Sequence, residues 1–196
     1  THQPESTAAA ASAVRPLLRF YVAGRPDSLK YVVEAITAAA YHSSLLLAHS
    51  GAASGAASSR LPVPGVCWEG AALSCAALHA VLEREVCGGG VSAGAAGAGL
   101  AHSVERAIVE VAALLRLLGL RTRDSYTTAV PLKDLGTAAA ALEAAARLCG
   151  QLWQGAEQLR AVVGSEAVLR LGNAAALALL MGPQAALAAV SFQSGI

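Results

Sequence analysis

The side chains that most often bind metals are sparse in this sequence, and their spacing matches no metal-site pattern. The five histidines are His2, His42, His49, His79 and His102. His42 and His49 lie about two helical turns apart, which is too far along a helix axis for both to bind one ion. No histidine shares an HExxH-type pattern with an acidic residue. We therefore interpret the histidines as surface residues or as rings with only the tip in water.

The cysteines, serines and glycines also lack the spacing of known catalytic sites. Cys67, Cys75, Cys87 and Cys149 contain no CxxC pair, so neither a zinc site nor a thioredoxin-type redox site is indicated. Reduced thiols packed among apolar side chains are expected instead. GxSxG is absent, and the glycine-rich stretch 88–99 lacks the GKS or GKT of a phosphate-binding loop. Because the acidic residues are also scattered singly, the sequence predicts a protein that is not an enzyme and binds no cofactor or metal.

The composition favours helices and gives no sign of nucleic-acid binding. Hydrophobic residues make up 55% of the chain and charged residues 14%, against about 25% charged residues in a typical soluble domain. Alanine accounts for much of this excess and has the highest helix propensity. The net charge of +1 provides no basic surface for a phosphate backbone.

Apolar residues recur at helical spacing, and no stretch alternates as a strand would. We predict an all-α fold over residues 1–196: one domain, a bundle of four to five amphipathic helices. Residues 1–13 are expected to be a frayed lead-in, and 51–64 and 88–99 to be flexible Gly/Ala/Ser-rich loops. The predicted helices are a short one at Val14–Ala23, then Ser28–His49, Glu69–Val86, Leu100–Leu118, Thr137–Gly164 and a restart at Ser165.

The helix predicted at Thr137–Gly164 organises the bundle. Leucines, alanines and Val163 form its apolar stripe, whereas Gln151 falls on the opposite, polar face. Trp153 lies next to the stripe, and we expect it to be at least half buried against Leu100–Leu118. Gly164 is expected to end the helix, because glycine readily adopts the left-handed conformation found at helix ends.

The amphipathic faces have two interpretations, a soluble bundle and a protein whose faces contact lipid. The segment 171–196 contains no charged residue, and its 26 residues exceed the ~20 needed to span a bilayer, although Gly182-Pro183 interrupts it. Basic and aromatic residues flank the helix at 28–49, as is typical of a membrane interface. The candidate lipid contacts on that helix are Val32, Val33, Ile36 and Leu47.

Two stretches of the sequence carry short motifs. The first, LLRFYVAGRPDSLKYVVEAITAAAYHSSLLL, has Gly24, Arg25 and Asp27 before a predicted helix. The second, LCGQLWQGAEQLRAVVGSEAVLRLGNAAALALL, is rich in leucine and contains Gln151, Trp153 and Glu157. Both resemble the peroxin-11 family of peroxisomal membrane-elongation proteins, closest to its gamma-type branch. The first is similar to the region with that family's Gly-Arg-Asp signature, within which Pro26 is an additional residue, and the second is similar to the family's leucine-rich region.

The resemblance implies a protein of the peroxisomal membrane that binds and curves the bilayer during peroxisome elongation, proliferation and fission. It also implies membrane lipids, further copies of the chain and the fission machinery as partners. An amphipathic helix inserted at the level of the headgroups expands one leaflet, which is a physical basis for curvature. The alternative is a soluble helical scaffold or protein-interaction module with no lipid role. A helix face exposed in the fold would favour the first function, and mutual burial of the faces would favour the second.

Overall fold

A computed structural model describes residues 4–25, 28–52, 62–88, 95–124 and 130–194, and these ranges contain helices but no strands. The all-α prediction is confirmed, although the described residues form seven α-helices where four to five were expected. A π-helix at Leu82–Cys87 extends α3, and a short 3-10 helix at Leu132–Asp134 precedes α5. The α-helices are α1 (Pro4–Val22), α2 (Ser28–Ala52), α3 (Gly65–Val81), α4 (Ala95–Asp124), α5 (Leu135–Gln154), α6 (Ala156–Val163) and α7 (Ser165–Ser194).

The N-terminal segment is a regular helix where a frayed lead-in was expected. α1 begins at Pro4, and its Ala11 and Val14 side chains are fully buried. Its alanines have high helix propensity, and their small side chains allow α1 to pack closely on α2 and α3. The prediction was wrong because alanine gives only a weak hydrophobic periodicity in sequence.

The organising helix is divided in two at Gly155, which separates α5 from α6. A Cβ atom at position 155 would lie 2.7 Å from Sγ of Cys87, so only glycine fits this approach of the two elements without displacing the thiol. The predicted end at Gly164 is confirmed, since its φ of +85° lies in the left-handed region and α7 starts at Ser165.

Other predicted boundaries also need correction: α3 begins at Gly65 and not at Glu69, and α4 ends at Asp124 and not at Leu118. α4 begins at Ala95, so part of the expected loop 88–99 is helical, and residues 89–94 lie outside the described residues. α2 continues to Ala52, and 53–61 of the expected loop 51–64 likewise lie outside the described residues. α7 continues through Pro183, where an interruption was expected, while Gly182 is buried against Leu142 of α5.

One hydrophobic core connects the helices. α4 packs against α2 and α7, while α3 packs against α1, α2 and α5. Because α1, α3 and α4 surround α2, the apolar side chains of α2 point inward. The largest fully buried side chains are Ile36, Leu47, Trp68, Leu78, Leu82, Ile108, Leu114, Leu115, Leu118, Leu148, Leu159 and Leu171.

Candidate functional site

The corner between α1 and α2 is fixed to the π-helix by buried polar contacts. The Tyr21 hydroxyl donates a hydrogen bond to Oε1 of Glu85 at 2.8 Å, and the Tyr21 ring is 3% exposed. Nη1 of Arg84 donates to the Tyr21 carbonyl at 2.9 Å, and the guanidinium lies 5.1 Å from the ring centroid. Burial raises the pKa of Tyr21 above its usual value, and the Glu85 carboxylate raises that pKa further. These contacts therefore hold the end of α1 against the π-helix.

The outer side of this corner exposes apolar and aromatic side chains. Phe20 is 49% exposed, Val22 63% and Tyr31 57%. They lie in the last turn of α1 and the first turn of α2. Phe20 and Val22 point about 200° apart around α1, so they flank the buried Tyr21 on two sides of the helix end.

Basic side chains accompany this apolar group. The guanidinium of Arg25 lies 5.5 Å from the Phe20 ring centroid, and Nζ of Lys30 is 3.9 Å from a carboxylate oxygen of Glu34. Arg19 is also exposed at the end of α1. We call Arg19, Phe20, Val22, Arg25, Lys30 and Tyr31 the aromatic–basic corner. Aromatic rings beside basic residues are typical of the level of lipid headgroups.

The first signature of the resemblance lies in the turn of this corner. Gly24 has a φ of +87°, a conformation that favours glycine, and its N–H donates to the Tyr21 carbonyl at 3.0 Å. The Arg25 N–H donates to the Phe20 carbonyl at 3.4 Å, and the Ser28 hydroxyl donates to the Arg25 carbonyl at 2.5 Å. Asp27 and Pro26 lie outside the described residues. Gly24 therefore allows the turn of the corner, and Arg25 adds a positive charge to it.

The second signature does not form one site. Gln151 is buried, not on a polar outer face as expected. In the orientation that satisfies both its nitrogen and its oxygen, the Gln151 side-chain amide donates to the His79 carbonyl at 3.2 Å and accepts from the Glu83 N–H at 2.7 Å. It therefore joins α5 to the junction of α3 and the π-helix. Glu157 lies exposed on the separate helix α6.

Trp153 is 87% exposed, so the expectation that it is at least half buried was wrong. Leu152 faces the core instead, and the next side chain points about 100° away from it around the helix. Because α5 ends one residue later, no following turn covers the indole ring. Trp153 stands beside a groove between α5, α6 and the start of α7.

The four candidate lipid contacts of α2 are inside the bundle. Val32, Val33, Ile36 and Leu47 are at most 2% exposed and belong to the main core. Within the described residues, two stretches are long and apolar enough to cross a bilayer, Ser28–Ser50 and Gly65–Cys87. About half of each is buried in the bundle, as also occurs in core helices of soluble proteins. The corner thus exposes large apolar side chains, whereas these four candidate contacts of α2 do not reach the surface.

The aromatic–basic corner and the exposed Trp153 lie at the same end of the bundle. Glu85 of the π-helix contacts Tyr21 of the α1–α2 corner, while Cys87, two residues further, lies against Gly155 after α5.

Comparisons with protein-family models, curated proteins and solved structures found no match to this chain. No group of three or more His, Cys, Asp or Glu residues able to hold a metal occurs in the described part of the chain.

Proposed function

We propose that the chain is a non-enzymatic protein of a membrane surface, with the aromatic–basic corner as its lipid contact. The observation that supports this proposal is the exposure of Phe20, Val22 and Tyr31 beside Arg19, Arg25 and Lys30. Interfacial binding combines buried apolar area with attraction to anionic lipid, and the corner supplies both.

The expected strength of the contact is moderate. Each basic residue near an anionic leaflet contributes about 1 kcal/mol, so Arg19 and Arg25 together contribute about 2 kcal/mol, while the charge of Lys30 is offset by its ion pair with Glu34. Insertion of the exposed parts of Phe20, Val22 and Tyr31 adds a few kcal/mol at ~25 cal/mol per Å² of apolar surface. The hydrogen bonds of Tyr21 hold the corner in place, so little ordering entropy opposes binding.

The resemblance to the peroxin-11 family supplies the cellular part of the proposal. The membrane is then that of the peroxisome, and binding serves elongation, proliferation and fission of that organelle. Self-association and contact with fission machinery follow from the same resemblance. Gly24 and Arg25 are common to the resemblance and to the proposed lipid contact, because both belong to the turn that forms the corner.

A second candidate function is a soluble helical scaffold, and a specific observation favours it. The apolar face of α2 is covered by α1, α3 and α4, so Val33 and Ile36 have the burial of ordinary core residues. If the apolar face of α2 stays buried in the bundle, its side chains stabilise the fold and do not contact lipid. The two functions differ in whether the intact fold binds a bilayer.

Flotation of the intact chain with vesicles tests the proposal. We expect binding to vesicles of phosphatidylcholine and phosphatidylserine, weaker binding without phosphatidylserine, and loss of binding as salt rises from ~0.15 M to ~1 M. Phe20→Glu with Tyr31→Glu should abolish flotation while the circular dichroism spectrum is unchanged. Tyr41→Glu is the matched control, since Tyr41 is 46% exposed on the same helix but lies away from the corner.

Two results would contradict membrane binding at the corner. The first is a wild-type chain that stays in the unfloated fraction at low salt, which would favour the scaffold. The second is equal loss of flotation in the corner variant and the Tyr41 control, which would place the lipid contact elsewhere.

A further inference from the structure

A groove of about 480 Å³ separates the end of α5 from the start of α7, with α6 closing one side. This volume is within the ~300–1,000 Å³ range of binding pockets. Leu152 and Val168 are recessed in it and only 6% exposed. Trp153 and Leu169 are also part of its lining, and they are 87% and 63% exposed. We call this feature the α5–α7 groove.

The composition of the groove is that of an interaction surface. Tryptophan and arginine are the residue types most enriched among those that dominate binding energy at protein interfaces. Here Trp153 stands at the groove with Arg160 as the one charged side chain of its lining. An indole so exposed leaves a large apolar area in water, which a bound partner would cover.

The charge of the groove indicates the chemistry of that partner. Arg160 makes no ion pair with any acidic residue in the described part of the chain. Arg170, the residue directly after Leu169, is in contrast paired with Glu166 of its own helix. Glu157, three residues earlier on α6, forms no ion pair with Arg160, so a carboxylate on the partner can pair with the Arg160 guanidinium, which favours an acidic partner over a basic one.

The shape of the groove distinguishes a helix from a bilayer. A bilayer presents a broad surface, which would reach Trp153 and Leu169 but not the recessed Leu152 and Val168. A side chain projecting from an amphipathic helix reaches into such a groove, as in helix-in-groove recognition. We propose that the α5–α7 groove docks an acidic amphipathic helix of another protein, with a large apolar side chain between Trp153 and Leu169 and a carboxylate at Arg160.

Matched synthetic peptides test this proposal on the intact chain. Both peptides carry leucines at helical spacing, and their polar positions are glutamate in one and lysine in the other. Trp153 reports binding, because the only other tryptophan, Trp68, is 1% exposed. We expect the glutamate peptide to shift the emission to shorter wavelength and to be bound in fluorescence anisotropy, and the lysine peptide to do neither.

Variants separate the groove from unspecific adhesion. Trp153→Ala should weaken anisotropy-detected binding of the glutamate peptide about 30-fold or more, the loss typical of a dominant interface residue. Arg160→Glu should reverse the preference, so that the lysine peptide is bound instead. Leu169→Ala should weaken binding, whereas Leu180→Ala should not, since Leu180 is similarly exposed at 64% on the same helix but lies outside the groove lining.

Four outcomes would overturn the proposal. They are the absence of binding by the glutamate peptide, equal binding of that peptide to the Arg160→Glu variant, and equal effects of the two leucine variants. The fourth is a shift of Trp153 emission with protein concentration, or with vesicles in the Phe20→Glu with Tyr31→Glu variant, which would make a second copy or the bilayer the occupant of the groove. Flotation through the aromatic–basic corner is measured separately, so failure of either proposal leaves the other standing.

Discussion

The hydroxyl of Tyr21 and the carboxylate of Glu85, 64 residues apart in sequence, form a hydrogen bond of 2.8 Å that ties α1 to the π-helix. Arg84 donates to the carbonyl of the same tyrosine and lies over its ring. A π-helix has one residue more per hydrogen-bonded ring than an α-helix, and such insertions often occur at functional sites. Here the π-helix presents consecutive charged residues to the end of α1 and so holds the corner.

Removal of the Tyr21 hydroxyl should destabilise the fold. A hydrogen bond to a charged group contributes about 1.5–3 kcal/mol, so we expect Tyr21→Phe to lower the free energy of unfolding by that amount. Urea denaturation measures this change. Tyr31→Phe is the control, since Tyr31 is 57% exposed and should change stability by less than about 0.5 kcal/mol. Equal effects of the two substitutions would mean that the Glu85 contact contributes nothing.

The two tryptophans should respond very differently to truncation. Trp68 is 1% exposed in the core, and Trp68→Ala should cost about 3–5 kcal/mol. Trp153 is 87% exposed, and Trp153→Ala should cost less than about 1 kcal/mol. Denaturant melts of the two variants compare them directly. A large loss at Trp153 would show that the indole is covered in the folded protein.

Charges on the α2 face should unfold the bundle. Val33 and Ile36 are at most 1% exposed, and an unpaired carboxylate there would be removed from water without a partner. We expect Val33→Asp with Ile36→Asp to abolish cooperative thermal unfolding and most helical circular dichroism. Retained helical content with lost vesicle binding would instead make this face the lipid contact. Thr37→Asp is a suitable control, because Thr37 on the same helix is only partly buried.

Alkaline pH should destabilise the protein through its buried thiols. Burial raises the pKa of Cys67 and of Cys75 from 9.0 to about 12. The unfolded chain therefore loses these protons at lower pH than the folded chain, so stability present below about pH 9 declines as pH rises toward 12. The melting temperature should fall between about pH 7 and about pH 10.5.

The double substitution Cys67→Ala with Cys75→Ala isolates the contribution of the thiols. This variant is expected to be less stable at neutral pH, because it removes buried volume. Its melting temperature should nevertheless fall by less between the two pH values than that of the wild type. An identical fall would assign the alkaline transition to other groups.

The candidate surfaces were only partly visible in sequence. The basic and aromatic residues around Gly24 indicated an interface, and the structure places Phe20, Val22 and Tyr31 at one exposed corner. The α5–α7 groove was missed, since it joins residues of α5, α6 and α7 that have no common periodicity. The one sequence signal for this groove was Gly155, two residues after Trp153, where the helix is divided. It was missed because the sequence analysis assumed one continuous helix through Gly155.

The sequence by itself determined the all-α class, the start of α2 at Ser28 and the stop at Gly164. These features depend on local physics: alanine-rich helix propensity, apolar residues at helical spacing and the conformational freedom of glycine. Only the tertiary structure decided which faces are covered. Val33 and Ile36 are buried because three helices surround α2, and Trp153 is exposed because the packing of α5 turns the neighbouring Leu152 toward the core. Burial depends on contacts between distant segments, which the spacing of residues within one helix does not encode.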